Sequence, residues 1–169
     1  MMSSERGATL TIEYGPVTQI AWVTADIEAT EKLLSGPVGA GKWTRLPDTV
    51  FGPETTVFRG APADFTAHVS LSYIADLQVE LIQPVRGISI YTEFLDRCGP
   101  GLHHVCFEPA DFDAALAEAD LEVIQSGDMH GAMRFAYLDG AAAGVPYIEI
   151  AEIGRAMRAF YEHVKARAH

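Results

Sequence analysis

Residues 19–29 read QIAWVTADIEA and residues 103–114 read HHVCFEPADFDA, the second stretch repeating the grammar of the first with one extra residue before the Asp. In each, a short β-rich run turns into a helical pattern that opens at or near an Asp, Asp26 or Asp111, whose carboxylate can cap free backbone N–H groups. Further along, VSLSYI (69–74) and LQVELI (77–82) read as two strands joined by a tight Ala75-Asp76 turn. MRFAYL (133–138) and PYIEI (146–150) repeat that arrangement around a longer Asp-Gly-Ala loop, and both units end in a strand with a mid-strand Glu. The chain therefore reads as α+β, with two tandem βαβββ modules forming a curved mixed sheet around a cleft.

The boundaries that follow are an N-terminal extension at 1–16, a first module at 17–86, a linker helix within 87–100, a second module at 101–152 and a C-terminal amphipathic helix at 153–169. In the linker, Ile88, Tyr91, Leu95 and Cys98 fall at helical spacing before a Gly99-Pro100-Gly101 stop. In the tail, Met157, Phe160, Tyr161 and Val164 mark one helical face. Residues 36–65, rich in Gly and Pro, read as long loops with one strand around Thr55–Arg59.

With 169 residues and a net charge of −11, the chain has the wrong sign for nucleic acid or an anionic membrane surface, both of which reward Lys and Arg. No stretch reaches the roughly 20 apolar residues of a membrane span and the first residues lack a signal-peptide core, so a cytoplasmic location is expected. Two cysteines, Cys98 and Cys106, make no disulfide framework and read as packing residues.

Strand alternation sorts the polar residues. Val79 and Leu81 share one face, with Gln78, Glu80 and Ile82 opposite; Ile148 and Ile150 share one face, with Tyr147, Glu149 and Ala151 opposite. Glu80 and Glu149 thus occupy equivalent places of the repeat, and a pseudo-two-fold axis would bring both to one concave surface. Two carboxylates facing one cleft repel unless a proton or a cation lies between them. The first strand of each module supplies further donors, Gln19 and His103, completing a mixed oxygen and nitrogen set for one divalent ion such as Zn, Co, Ni, Mn or Fe. His104 is expected on the face opposite His103. His68, Gln78, His130, Arg134 and Tyr147 are candidate substrate contacts.

The repeated modules, with a donor on the first and last strand of each, resemble the vicinal oxygen chelate superfamily, which includes glyoxalase I, methylmalonyl-CoA epimerase, extradiol dioxygenases and bleomycin-type resistance proteins. VELIQP, then ISIYTEFLDRCGPG, then Gly101-Leu102-His103-His104-Val105 follow one another as in the epimerase branch, and His130-Gly131, Arg134-Phe135 and the closing YIEI match it as well. The resemblance places the four metal ligands on Gln19, Glu80, His103 and Glu149, and it implies Glu80 and Glu149 as the catalytic bases. It implies an epimerase or isomerase that works through a metal-stabilised enolate on an acyl-thioester or similar α-acidic carbonyl compound, and assembly as a homodimer. Gln in place of the usual first His resembles instead the zinc type of glyoxalase I, a lyase acting on thiol hemithioacetals. A metal-free module that sequesters a small molecule is the remaining alternative. An extradiol dioxygenase fits poorly, because its iron takes two His and the quartet holds one. The acidic balance gives little general attraction to a CoA phosphate, so such a substrate would need a local basic patch, for which Arg86 and Arg134 are candidates.

Overall fold

The structure is a computed structural model and describes residues 13–169; residues 1–12, most of the expected N-terminal extension, lie outside the described residues. The first unit contains β1 (Val17–Val23), α1 (Ile27–Leu33), β2 (Thr44–Phe51), β3 (Thr56–Phe58), β4 (Ala61–Pro62), β5 (Phe65–Ile74) and β6 (Leu77–Arg86). After α2 (Ile90–Cys98) come β7 (Gly101–Phe107), α3 (Phe112–Glu118), β8 (Val123–Asp128), β9 (Met133–Asp139), β10 (Tyr147–Ile153) and α4 (Arg155–Ala168). All ten strands form one mixed sheet in the order β2-β5-β6-β1-β7-β10-β9-β8-β3-β4. The two halves meet where β1 lies antiparallel to β7; β6 runs parallel to β1 and β10 parallel to β7.

The repeated Asp residues start both module helices. Asp26 and Asp111 sit in extended backbone as N-caps, accepting from the N–H of Ala29 (3.0 Å) and of Ala114 (2.9 Å). Each helix covers the outer face of its own half-sheet. Ile27 and the following Leu34 meet Val79 and Leu81, while Phe112 and Ala115 meet Ala136, Leu138 and Ile150. Leu138 is fully buried in that second layer. Leu138→Ala is expected to cost about 2–5 kcal/mol in urea unfolding while leaving the inner face of the sheet unaltered.

The inner face is filled from two ends. At one end, Ile90, Tyr91 and Phe94 of α2 pack with Val23, Phe65, Ile82, Phe135, Tyr137 and Tyr147. At the other, Phe160, Tyr161, Val164 and Ala168 of α4 pack with Val69, Leu71 and Tyr73. The tail face matches the spacing read from Met157 to Val164. The linker helix differs in phase: Ser89 caps it, accepting from the N–H of Thr92 (3.2 Å), so the helix starts after Ile88, which is 73% exposed, and Cys98 is exposed too.

The least legible region, 36–65, holds three strands rather than one. β2 is an edge strand whose register breaks between Leu46 and Thr49, where Pro47 and a left-handed Asp48 (φ 51°) interrupt the alternation that would mark it. β3 and β4 leave the first half and join the far edge of the second, with Thr56–Phe58 pairing Gly127 to Gln125. Phe51 stacks on Phe65 (4.7 Å between centroids) and meets Phe135 edge-on (6.5 Å), drawing the two curled ends together.

Candidate metal centre

Four adjacent strands aim polar side chains at one point on the inner face. Ala21 pairs with Glu80 on one side and His104 on the other, Gln19 pairs with Cys106, and Cys106 pairs with Glu149. These registers bring Gln19, Glu80, His104 and Glu149 together. His104 Nε2 lies 3.1 Å from Gln19 Oε1, 3.1 Å from Glu149 Oε2 and 3.6 Å from Glu80 Oε2. The His104 side chain is fully buried, that of Glu149 is 3% exposed and that of Glu80 16%.

The histidine of this cluster is His104, where the repeat and the family resemblance predict His103. The cause is a register shift: Trp22 pairs with Leu102 and Ala21 with His104, so His103 has no partner across β1 and the alternation resets at it. His103 turns instead toward α2, its ring 4.7 Å from that of Tyr147, 5.1 Å from Phe94 and 5.2 Å from Tyr91. Its Nδ1 is 2.9 Å from His104 Nδ1, so it contacts the cluster from behind. Burial, and then the neighbouring His104, hold the His103 ring well below the usual histidine range.

Amide orientation follows from a short relay. Gln78 Nε2 donates to Tyr73 Oη (2.9 Å), which leaves Gln78 Oε1 to accept from Gln19 Nε2 (2.6 Å), and Gln19 Oε1 therefore points at His104. Gln78 thus belongs to the cluster as an orienting residue. Negative charge is in surplus here. Burial, then the charge of Glu149, pushes the Glu80 carboxyl well above the usual range. Burial and the same two carboxylates also raise the phenols of Tyr91, Tyr137 and Tyr161, and the Tyr91 and Tyr137 hydroxyls bond each other at 2.7 Å. Cys106, beside Glu149, is held as a neutral thiol chiefly by burial.

A cleft of about 410 Å³ opens onto Gln19, Gln78, Cys106 and Glu149, walled by Tyr73 and Met133 from the sheet and Tyr161 from α4. Its two cations are both paired with acids at the rim, Arg158 with Glu108 and Lys165 with Asp76 (2.7 Å). Gly41 lets the C-terminal end of α4 close against the sheet, since a Cβ there would collide with the Ala168 carbonyl oxygen.

Several residues expected at the cleft lie elsewhere. Arg134 is on the outer face of β9, held by Glu152 (2.6 Å) and Asp113 (3.0 Å) and lying over the Phe112 ring. His68 faces outward on β5, where Nδ1 accepts from the Asp48 N–H (3.1 Å). His130 is exposed in the left-handed turn between β8 and β9. Arg86 pairs with Asp64 (2.8 Å) at the end of β6. Tyr147 is on the inner face but reaches the cluster only through His103. Tyr73, which lines the cleft, follows from alternation across the hairpin, since it pairs with Gln78; Cys106 does not, because it shares the parity of His104 and turns inward only through the register shift at His103.

A chain with paired half-sheets and a polar cluster on the shared inner face defines a recognisable class. The model of the Glyoxalase/Bleomycin resistance protein/Dioxygenase superfamily matches residues 18–137, and the chain belongs to that family. Among solved structures it is similar to methylmalonyl-CoA epimerase from Mycobacterium tuberculosis, at 16% identity and TM-score 0.59, covering 85% of this chain and 91% of that one. It is also similar to a hypothetical protein from Bacillus halodurans (15% identity, TM-score 0.57, 81% and 93% covered). A Streptomyces coelicolor methylmalonyl-CoA epimerase variant in complex with 2-nitronate-propionyl-CoA shares 19% identity at TM-score 0.50, with 83% and 94% covered. These likenesses establish the fold. No curated protein matches the chain. No described helix is long and apolar enough to cross a membrane.

Proposed function

We propose that this protein is a divalent-metal-dependent isomerase that removes and returns a proton α to the carbonyl of an acyl thioester or similar compound, with Gln19, Glu80, His104 and Glu149 as the metal-holding residues. One observation carries the reading: three oxygens converge on a single imidazole nitrogen that has at most one proton to give them. Two ligands that each sit about 2.1 Å from one ion are about 3.0–3.4 Å apart, and the two closest oxygens, at 3.1 Å each, fall in that range. Among the described residues no three His, Cys, Asp or Glu side chains already form a metal-holding group. The set proposed here counts the Gln19 amide as a donor and draws Glu80 in from 3.6 Å. The residues fit a cation on charge as well, since the buried pair of carboxylates has no Lys or Arg partner among the described residues.

A bound divalent ion would polarise a substrate carbonyl and offset the negative charge that gathers on its oxygen when the α-proton leaves. The chain supplies the rest. Glu149 lines the cleft and Glu80 approaches the same His104 nitrogen from the other side, which supports a reading in which one carboxylate takes the proton and the other hands one back. Tyr73, Met133 and Tyr161 wall the cleft beside Glu149. The paired rim cations offer no free site for a polyphosphate, which favours recognition through the acyl portion. The Gln19 amide, standing where a second His would, supports a second reading as a lyase on thiol hemithioacetals.

Metal analysis of protein purified without chelator, followed by solvent-deuterium exchange into methylmalonyl-CoA and turnover of a hemithioacetal, tests the proposal. About one ion per chain with exchange into the thioester is expected. Hemithioacetal turnover alone would select the lyase, and neither metal nor turnover would overturn the enzyme reading in favour of a metal-free binding module. Gln78→Leu cuts the relay that aims Gln19, so metal affinity measured against a competing chelator is expected to fall roughly tenfold, within the usual range for an outer-shell change.

A further inference from the structure

The contact between His103 and His104 is an arrangement that the metal-site reading leaves unused. Two imidazoles meet Nδ1 to Nδ1 at 2.9 Å, both fully buried, so a single proton lies between them. The far nitrogen of His103, Nε2, is buried with no hydrogen-bond partner among the described residues, and the ring is fixed by the aromatic walls of Tyr91, Phe94, Tyr137 and Tyr147. Apart from the Ile90 backbone, which favours a proton on the ring, no outer group selects a tautomer for His103. The ring can donate through Nδ1 or accept through it without moving.

We propose that His103 is a positioning residue that accepts the Nδ1 proton of His104, and so fixes the His104 ring with its Nε2 lone pair aimed at the point shared by Gln19, Glu80 and Glu149. This rests on the metal-site reading above. When His104 turns its Nε2 lone pair toward the cation, its proton belongs on Nδ1, and His103 receives it with its own proton on Nε2. Without a cation the pair reverses: His103 donates through Nδ1, and His104 keeps a proton on Nε2 for the surrounding oxygens. Metal-binding histidines generally need such a partner on the other nitrogen. A second neutral imidazole serves both states, whereas a carboxylate would only accept and a backbone N–H would only donate.

The test uses Zn²⁺ and Co²⁺ with the full chain. His103→Phe keeps an aromatic ring in the cage but removes the acceptor, and His103→Asn restores an acceptor near the position of Nδ1. Co²⁺ affinity by chelator competition is expected to drop roughly 10- to 100-fold in His103→Phe and to recover most of that loss in His103→Asn. Thermal melts of the metal-free variants show whether each is folded. Independently of any variant, ¹⁵N shifts of the Zn²⁺-loaded wild type are expected to show His104 protonated at Nδ1 and His103 at Nε2. Wild-type affinity in His103→Phe, equal losses in both variants, or an Nδ1 proton on His103 in the loaded protein would overturn the proposal while leaving the metal site standing. A wild type that binds neither ion would overturn both.

Discussion

His104→Ala is expected to remove metal binding and to lower kcat/KM for α-proton exchange by about a thousandfold or more. The size of the effect follows from where the residue sits. Gln19, Glu80 and Glu149 come from three different strands and meet only at His104 Nε2, so its loss leaves two buried carboxylates and an amide with no common nitrogen donor. His103 cannot take over, because its ring is clamped between Tyr147, Phe94 and Tyr91 and presents only Nδ1 toward the cluster. His104→Gln, which keeps a polar group in the space, is the companion variant if alanine unfolds the chain. Metal content by mass spectrometry and exchange by NMR check the outcome. A His104 variant that retained about one ion per chain would place the site elsewhere.

Glu80→Gln is expected to act in two opposite directions. As a proposed proton carrier and ligand, its carboxylate should be worth about a hundredfold to ten-thousandfold in kcat. In the metal-free protein the same substitution should stabilise the fold at neutral pH by about 1–2 kcal/mol, as relief of a strained functional site commonly does. The pH dependence gives the sign. Burial first, then Glu149, raises the Glu80 carboxyl above its ordinary 4.5. Above that value, until the raised one is passed, the native chain holds a proton that the unfolded chain has lost, so wild-type stability falls as pH rises. The variant lacks this penalty. The gap between the two in urea unfolding should therefore be absent below about pH 4.5 and widen as pH increases, and it should shrink when metal is supplied. A constant gap across the range would mean that Glu80 is not buried as a strained acid.

Much of this arrangement is legible from alternation and capping alone. The Val79/Leu81 and Ile148/Ile150 faces lie under α1 and α3, leaving Gln78, Glu80, Tyr147 and Glu149 on the inner side, and Asp26 and Asp111 start the two helices. Alternation fails at His103, because one unpaired residue in β7 resets which side chain faces the cluster, and the pair His103-His104 carries no sign of it. Arg134 and His68 fail for the opposite reason. Their alternation with Phe135 and Val69, both on the inner face, points them outward, whereas the family resemblance draws them toward the cleft. The cleft wall was out of reach because α4 meets β5 across more than 80 residues of chain. Nothing local in Val69, Leu71 and Tyr73 names Val164 as their partner.

Anomalous diffraction from crystals loaded with Co²⁺ locates the divalent cation that His104, Gln19, Glu80 and Glu149 are proposed to hold. A single strong peak is expected within about 2.3 Å of His104 Nε2, bounded by Gln19 Oε1 and the two carboxylates. No peak there, or a peak on His103 or on the rim acids Asp76 and Glu108, would contradict that proposal.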